Sequence, residues 1–373
     1  MPDSRLTVVL DEVGERSPTR VGRYAAEVAR SLVTTAPEGF RVEGLAPKVS
    51  EARRERMREA VPGLADLRHT AVPPRELRQA WLHSVTTIPV RGLVHATSLL
   101  APLVREPATG DQVTVTVHGL QPLSDRSECK RRWFDRALKR ALKRADGIVV
   151  PTTAIAEDLA ERGGAPERIR VIAPAPTVWR SAPSDASTAD DIARRLALPA
   201  EYVLARTSPG SRGDAERLVR AIAAPTMPDV RVVVAGPVEW ADTTLAAMAV
   251  EAGIPAGRLV MVGDVDETDL AVAHDRALAL LHAAEHDALG LDVLDAASFG
   301  TPAVHTMSRS IAELTDGASV AIAGDPAELA NGLAVLLDDE ERRARIGLQA
   351  MDRARAFTWD AAASEVWRLH AEL

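Results

Sequence analysis

The sequence predicts an α/β protein built from two doubly wound Rossmann-like domains that face each other across a cleft. Short apolar runs that suit strands of a buried parallel sheet alternate with amphipathic helical segments. This alternation occurs twice, before and after a segment rich in Pro, Ser, Ala and Asp at residues 174–191, which we interpret as a hinge. We therefore place one domain at residues 1–178 and a second at residues 179–355.

Composition restricts the class of protein. Hydrophobic residues make up 46% and charged residues 26% of the 373 residues, as in ordinary soluble globular proteins. The single cysteine, Cys129, excludes a disulfide framework and a cysteine metal cluster. The first apolar run, residues 6–10, is too short for a secretory signal, and no apolar run is long enough to span a bilayer. We expect a cytoplasmic protein whose membrane contact, if any, is peripheral at the inner face.

Charge divides the chain into a basic and an acidic half. Residues 1–180 hold 29 Lys and Arg against 22 Asp and Glu, a net charge of +7; residues 181–373 hold 16 against 31, a net charge of −15. The most basic segment, residues 126–145, has an apolar stripe at helical spacing, so it predicts either a helix on an anionic membrane surface or a core-facing helix with a solvated basic face. It lacks a series of stacking aromatics, and we expect no nucleic-acid partner.

In the first half, the apolar runs predict strands and the longer amphipathic segments predict helices. His95 and His118 stand at strand ends, and Gly22 stands at the start of the first helix. The predicted strands are residues 5–10, 41–46, 92–96, 113–118, 147–150 and 168–174, and the main helices are residues 21–33, 50–60 and 126–145.

The second half repeats the pattern. All four lysines lie in the first half, so a cation that binds phosphate here must be an arginine, for which Arg206 and Arg212 are the candidates. The predicted strands are residues 202–206, 230–236, 258–263, 277–281 and 320–323, and the helices are residues 215–223, 243–252, 291–298, 308–314, 326–337 and 339–356.

Residues 282–302, HAAEHDALGLDVLDAASFGTP, are the main candidate site. Parallel sheets bind ligands beyond the carboxyl ends of their strands, where backbone N–H groups of a helix start, here near Gly290 and Leu291, favour phosphate. In this setting Asp287 could accept hydrogen bonds from sugar hydroxyls and Asp295 from a ribose. The alternative is that Asp287 caps the helix and Asp295 is merely solvated.

Two acids eight positions apart followed by GTP resemble the donor-sugar motif of family 4 retaining glycosyltransferases, which have the GT-B fold. The resemblance covers nearly the whole chain, through the phrases GRY (residues 22–24), VTVHGL (residues 115–120), ADGIVVPT (residues 145–152), RLVRA (residues 217–221) and FTWDAAA (residues 357–363). The departures from the family pattern are Asp287 and Asp295 for Glu, Asp292 for Pro, Gly119 for Asp, Gly213 for Lys, Asp214 for Asn, and the loss of a glycine pair before residue 22.

The resemblance implies transfer of a sugar from a nucleotide-diphosphate-sugar donor to a glycan or lipid-linked acceptor hydroxyl, with retention and with neither metal nor other cofactor. The abundance of Arg over Lys, 41 to 4, is typical of a GC-rich genome and suggests bacterial polysaccharide or glycolipid synthesis. The first domain would be the acceptor side, the second would bind the nucleotide sugar, and a terminal helix, residues 356–373, would pack back on the first domain. The predicted catalytic residues are His118, Arg212 and Asp287; the predicted donor-binding residues are Gly22, Arg206, Arg212, Gly290, Leu291 and Asp295.

Two other functions stay open. The departures at functional positions are also typical of a paralogue that has lost catalysis and serves as partner or regulator of an active glycosyltransferase. A GT-B sugar epimerase would turn over a donor without an acceptor. Residues 282–286 also spell H-x-x-E-H, a zinc signature that requires both histidines on one helical face. Because His282 ends a predicted strand, we predict no metal site there.

Overall fold

The computed structural model describes residues 4–85, 90–103, 110–120, 128–178, 181–209, 211–240 and 242–373. These residues form two compact units. The first combines the described residues up to 174 with Thr358–Leu373, and the second contains the described residues from 175 to 357. Residues 126–127 of the predicted basic segment and residues 179–180 of the predicted hinge lie outside the described residues.

The first unit contains a seven-stranded parallel sheet with the strand order β3-β2-β1-β4-β5-β6-β7. Strand β1 lies inside the sheet, with β2 and then β3 on one side of it. Strand β4 pairs with the other side of β1, so the strand order reverses between β1 and β4. Its elements are β1 (Ser4–Val9), α1 (Arg20–Thr34), β2 (Phe40–Ala46), α2 (Glu51–Ala60), β3 (Asp66–His69), α3 (Pro74–Leu82), β4 (Leu93–Ala96), β5 (Gln112–Thr116), α4 (Glu128–Arg144), β6 (Gly147–Val150), α5 (Thr153–Glu161) and β7 (Ile169–Val171).

The second unit contains a six-stranded parallel sheet with the strand order β12-β9-β8-β13-β14-β15, which reverses between β8 and β13. Its elements are α6 (Ala186–Arg195), β8 (Tyr202–Arg206), α7 (Arg212–Ile222), β9 (Arg231–Ala235), the short antiparallel pair β10 (Glu239–Trp240) and β11 (Thr243–Thr244), α8 (Leu245–Glu251), β12 (Leu259–Gly263), α9 (Glu267–Asp275), β13 (Ala279–His282), α10 (Leu291–Ser298), β14 (Ala303–Thr306), α11 (Arg309–Thr315), β15 (Val320–Ile322), α12 (Pro326–Asp338) and α13 (Glu340–Ala354).

The last helix, α14 (Trp359–Glu372), belongs to the first unit and packs against α1. Thr358 caps it by accepting a hydrogen bond from the N–H of residue 361 at 3.2 Å. Trp359 is buried, and its ring meets Tyr24 of α1 edge-on with 5.5 Å between the ring centroids. The apolar face of α14 therefore packs into the core of the first unit.

The predicted fold class is confirmed, since both units are parallel sheets of Rossmann type with central strands that are almost wholly buried. One prediction was wrong in detail: α6 begins inside the stretch that we interpreted as a hinge. Asp185 caps this helix by accepting a hydrogen bond from Thr188 N at 2.8 Å. The inward residues of α6, Ala189, Ile192 and Ala193, do follow helical spacing, but two of the three are alanines and only Ile192 is large.

A buried chain of hydrogen bonds ties α14 to β5. The Gln112 Oε1 atom accepts from His370 Nδ1 at 3.2 Å, so Nε2 of that ring accepts from Thr114 Oγ1 at 3.1 Å. The same hydroxyl oxygen accepts from His95 Nδ1 at 2.9 Å. Both imidazoles are thereby held neutral, and burial lowers the pKa of His95 to about 3 and that of His370 to about 4.

In the described ranges, no helix combines the length and apolar character that crossing a bilayer requires.

Candidate functional site

The candidate site lies at the carboxyl edge of the second sheet, where the strand order reverses. Strands β8 and β13 are neighbours there, paired in the register Leu281 to Ala205. Arg206 ends β8 and His282 ends β13, so both side chains start from the same edge of the sheet. In open α/β sheets this reversal point is where ligands bind.

The loop after β13 is braced by Asp287. Its Oδ1 atom accepts hydrogen bonds from the backbone N–H groups of Leu289 and Gly290, both at 3.0 Å. Gly290 has a φ of 58°, in the left-handed region that favours glycine, and α10 starts at the next residue. The structure thus uses one carboxylate oxygen of Asp287 to shape the start of α10. Both donors precede the first helical residue, so Asp287 braces the loop and does not cap α10 as the alternative predicted; contact of Asp287 with a sugar stays a prediction.

His282 lies between two carboxylates. Its Nε2 atom is 3.1 Å from Asp287 Oδ2, and its Nδ1 atom is 3.9 Å from Asp292 Oδ2. All three side chains are at most 3% exposed. The sequence singled out His282 only as part of a zinc signature, whereas its contacts connect the loop with the first turn of α10.

Arg206 pairs with Asp292. The Arg206 Nη1 atom lies 2.5 Å from Asp292 Oδ1 and 3.8 Å from Asp295 Oδ2. The Arg206 side chain is 12% exposed, and the two carboxylates are 3% and 0% exposed. The guanidinium of Arg206 therefore points into the candidate site and is already held by a carboxylate.

Asp295 is engaged by the segment that leads into the second unit. Its Oδ1 atom accepts from Thr177 N at 2.5 Å and from Val178 N at 3.3 Å. The Thr177 hydroxyl lies 3.0 Å from Oδ2 of the same carboxylate. Asp295 is therefore not merely solvated. Its lone pairs hold the backbone at Thr177, and binding of a ribose by this carboxylate stays a prediction.

Arg212, the other predicted cation, is at the start of α7 on the surface. Its Nε atom donates to Glu216 Oε1 at 2.7 Å, and Nη1 pairs with Asp242. The hydrogen bond to Glu216 and the charge of Asp242 raise the pKa of Arg212. Its side chain is 42% exposed, which leaves it able to exchange these partners for a ligand at little cost.

The remaining predicted residues, His118 and Gly22, lie in the first unit. His118 Nε2 donates to the Thr97 carbonyl oxygen at 2.6 Å, and burial lowers the pKa of His118 to about 4. The ring is therefore neutral, with Nδ1 as the acceptor nitrogen. The Gly22 N–H donates to the Thr19 hydroxyl at 2.9 Å, and a Cβ at Gly22 would lie 2.6 Å from the Glu12 carbonyl oxygen. Glycine is thus required there by the close passage of the loop after β1.

The first sheet also has a polar group that the sequence analysis did not find. Asp11 follows β1 at the reversal point, and its Oδ1 atom accepts from Ser98 Oγ, just after β4, at 2.9 Å. Burial, aided by the charge of Glu12, raises the pKa of Asp11 to about 7. A carboxylate that follows a strand is too common in sequences to indicate a site. The pairing of β1 with β4 in the structure is what places Asp11 at the reversal point.

The H-x-x-E-H phrase does not lie on a helix, because His282 ends β13 and His286 follows in the loop. The structure instead brings ligand atoms of His282, Asp287 and Asp292 within 4.8 Å of one another. The guanidinium of Arg206 already neutralises Asp292. A metal ion at this set would therefore have to compete with Arg206 for the carboxylate of Asp292.

Two family models match the chain. The model described as Glycosyltransferase Family 4 matches residues 21–175, and one described as Glycosyl transferase-like matches residues 206–367. The D-inositol 3-phosphate glycosyltransferase of Xylanimonas cellulosilytica is 30% identical over 241 residues, which cover 61% of this chain and 57% of that protein. The chain thus spans less than two thirds of the length of the curated relatives it matches.

Solved structures show the same fold. Anabaena Alr3699/HepE in complex with UDP and glucose superposes with a TM-score of 0.74 and 15% identity, covering 99% of this chain and 100% of that chain. Alr3699/HepE in complex with UDP-glucose gives a TM-score of 0.74 and 16% identity over the same shares of the two chains.

Proposed function

Because the chain belongs to the GT-B glycosyltransferases that resemble family 4, we propose that it transfers a sugar to an acceptor hydroxyl. The proposed donor is a nucleotide-diphosphate sugar. We further propose that the transfer retains the anomeric configuration and needs no metal ion. The similar Anabaena protein was solved with UDP and with UDP-glucose, which supports a nucleotide sugar as donor.

The observation that carries the proposal is the meeting of Arg206 with the start of α10 at the reversal point of the second sheet. A guanidinium and the positive end of a helix dipole both stabilise negative charge. Loss of a nucleoside diphosphate from a sugar concentrates negative charge on the leaving phosphate. Fixed positive groups at that place lower the barrier, since such electrostatic stabilisation is usually the largest catalytic contribution.

Other residues take more limited roles in the proposal. Arg212 would supply a second cation for the diphosphate, together with backbone N–H groups at Gly290 and Leu291. Asp287 would orient the sugar through Oδ2, which lies 3.1 Å from His282 Nε2, while Oδ1 holds the loop. Asp295 would bind the ribose with the same carboxylate that accepts a hydrogen bond from the backbone N–H of Thr177.

The acceptor is proposed to bind the first unit. His118 can accept a hydrogen bond at Nδ1, and Asp11 has a carboxyl that burial keeps partly protonated near neutral pH. The name of the curated relatives adds an inositol phosphate to the glycan and lipid-linked acceptors as a compound to test. The basic face of α4 supports an anionic acceptor or peripheral contact with the inner membrane face, and we place the reaction in the cytoplasm.

The test starts with calorimetric binding of UDP, GDP, dTDP and ADP to the whole chain. We expect one nucleotide to bind selectively, and Arg206→Ala to weaken it at least tenfold, which is about 1.4 kcal/mol. The corresponding nucleotide sugars are then offered with D-inositol 3-phosphate and with glycan acceptors, with and without EDTA. The anomeric proton of the product, observed by NMR, reports retention. Failure of all four nucleotides to bind at millimolar concentration would contradict the proposal.

A second function is favoured by the pairing of both candidate cations with carboxylates, Arg206 with Asp292 and Arg212 with Glu216 and Asp242. A paralogue that has lost catalysis and acts as partner or regulator of an active glycosyltransferase would show this pattern. It predicts no donor hydrolysis and no transfer, together with stable association with an active enzyme in co-purification.

A further inference from the structure

The ion pair of Arg206 and Asp292 has the geometry of a strong contact. Its atoms are 2.5 Å apart, and both side chains are largely removed from solvent. Charged hydrogen bonds of this kind are stronger when water is excluded, because the effective dielectric constant falls. Arg206 is thus held firmly before any ligand arrives.

Asp292 also occupies a position that would attract an anion. It is the second residue of α10 and the acidic residue of the first turn, where the helix dipole favours negative charge. The same helix start would favour a phosphate group. Asp292 and a phosphate therefore compete for the same two sources of positive potential, the helix start and Arg206.

The surrounding charges strengthen this competition. Two carboxylates, those of Asp292 and Asp295, lie 2.5 Å and 3.8 Å from Nη1 of Arg206, and the carboxylate of Asp287 lies beside His282. The carboxylates of Asp292 and Asp295 together carry more negative charge than the one guanidinium that they approach can offset. An added diphosphate meets repulsion there that it would not meet if residue 292 were neutral.

We propose that Asp292 determines the affinity of this chain for the donor diphosphate, because its carboxylate holds the guanidinium that the diphosphate has to capture. The inference rests on the proposed function, which supplies the anionic ligand. The carboxylate of Asp292 acts as a built-in competitor, so replacing it with a neutral side chain of the same shape tightens diphosphate binding.

The experiment uses inorganic pyrophosphate as the probe, because it requires no knowledge of the base. Calorimetry compares the wild-type chain with Asp292→Asn, which keeps an oxygen acceptor for Arg206 and removes only the charge. We expect Asp292→Asn to bind pyrophosphate at least tenfold more tightly than wild type, about 1.4 kcal/mol. Adding Arg206→Gln to this variant should abolish the gain.

A matched control is Asp229→Asn. Asp229 also pairs with an arginine, Arg258, at 2.5 Å in the second unit, but its side chain is fully exposed. The control changes the total charge by the same amount and should leave pyrophosphate affinity unchanged. A second neutral variant, Asp292→Ser, retains a hydroxyl acceptor and must show the same gain, so that poor folding of one variant leaves the test intact.

The outcomes separate the two proposals. If wild type binds a nucleotide but neither neutral variant tightens pyrophosphate binding beyond about twofold, the role of Asp292 is overturned and the transferase proposal stands. If Asp229→Asn gains as much as Asp292→Asn, total charge explains the effect and the role of Asp292 is again overturned. If the neutral variants gain while no nucleotide binds, the competition of Asp292 with a diphosphate group stands, but the transferase proposal and the donor as its ligand fail.

Discussion

Replacement of Asp295 by alanine distinguishes a structural from a ligand-binding carboxylate. In the structure Asp295 is fully buried and accepts hydrogen bonds from Thr177 N at 2.5 Å, Val178 N at 3.3 Å and the Thr177 hydroxyl. Alanine would leave these donors buried without their acceptor. We therefore expect Asp295→Ala to destabilise the second unit even when no ligand is present.

The size of the effect follows from the number of donors. A buried donor that loses its acceptor costs about 1–3 kcal/mol. Two N–H groups and one hydroxyl thus give a loss of about 3–5 kcal/mol for Asp295→Ala, allowing for local relaxation. Thr177→Val removes only the hydroxyl and should cost about 1 kcal/mol. Asp295→Asn keeps one acceptor oxygen and should be intermediate.

The assay is urea unfolding of each variant, combined with hydrogen exchange of β8 and β13, because the two units need not unfold as one transition. Exchange in these strands reports the second unit directly. If Asp295→Ala unfolds within about 0.5 kcal/mol of wild type and loses only nucleotide binding, our reasoning fails. Asp295 would then be a ligand residue, as the resemblance to family 4 implies.

Three further substitutions test other parts of the structure. Burial lowers the pKa of His370 from 6.5 to about 4. Between these two pH values the unfolded chain binds a proton that the folded chain does not, so the free energy of unfolding falls as the pH drops from 6.5 to about 4. His370→Gln should reduce that slope by about 1.4 kcal/mol per pH unit in urea titrations, whereas an unchanged slope would show that His370 does not titrate differently on unfolding. Gly22→Ala should destabilise by about 1–3 kcal/mol in thermal unfolding, although alanine normally favours helices, because its Cβ would lie 2.6 Å from the Glu12 carbonyl oxygen; equal stability would show that the loop yields freely. Arg212→Ala should leave stability within about 0.5 kcal/mol of wild type, since its ion pairs are exposed, and should weaken nucleotide binding in calorimetry; unchanged affinity would remove Arg212 from the proposed site.

The fold class could be predicted because buried parallel strands require continuous apolar runs, which are visible in sequence. The helix at residues 291–298 and the strand ending at His282 were placed correctly for this reason and because Gly290 marks the turn. The short strand β3 was not predicted, since none of its four residues is buried and it has no apolar run.

The pairing within the site could not be predicted. Asp295 receives its hydrogen bonds from Thr177, and Arg206 is held by Asp292, contacts between residues far apart in sequence. The local sequence pattern predicts the secondary structure of each residue. It does not predict which residue from another strand or loop lies next to it at the edge of the sheet. Asp292 was recognised only as a departure from the family pattern, and its contact with Arg206 required the register of β8 and β13.

The packing of α14 on α1 has a consequence for how the chain is assembled during synthesis. The described residues of the second unit all lie between 175 and 357, so this unit can begin to fold once α13 has left the ribosome. The first unit lacks the Trp359 side of its core until residues 358–373 have been translated, so the face of α1 around Tyr24 lacks this contact until then. The contact between Tyr24 and Trp359 joins residues that are far apart in sequence, and contacts of this kind are slow to form. Until α14 docks, this apolar face of α1 is available to a chaperone that binds exposed apolar surface.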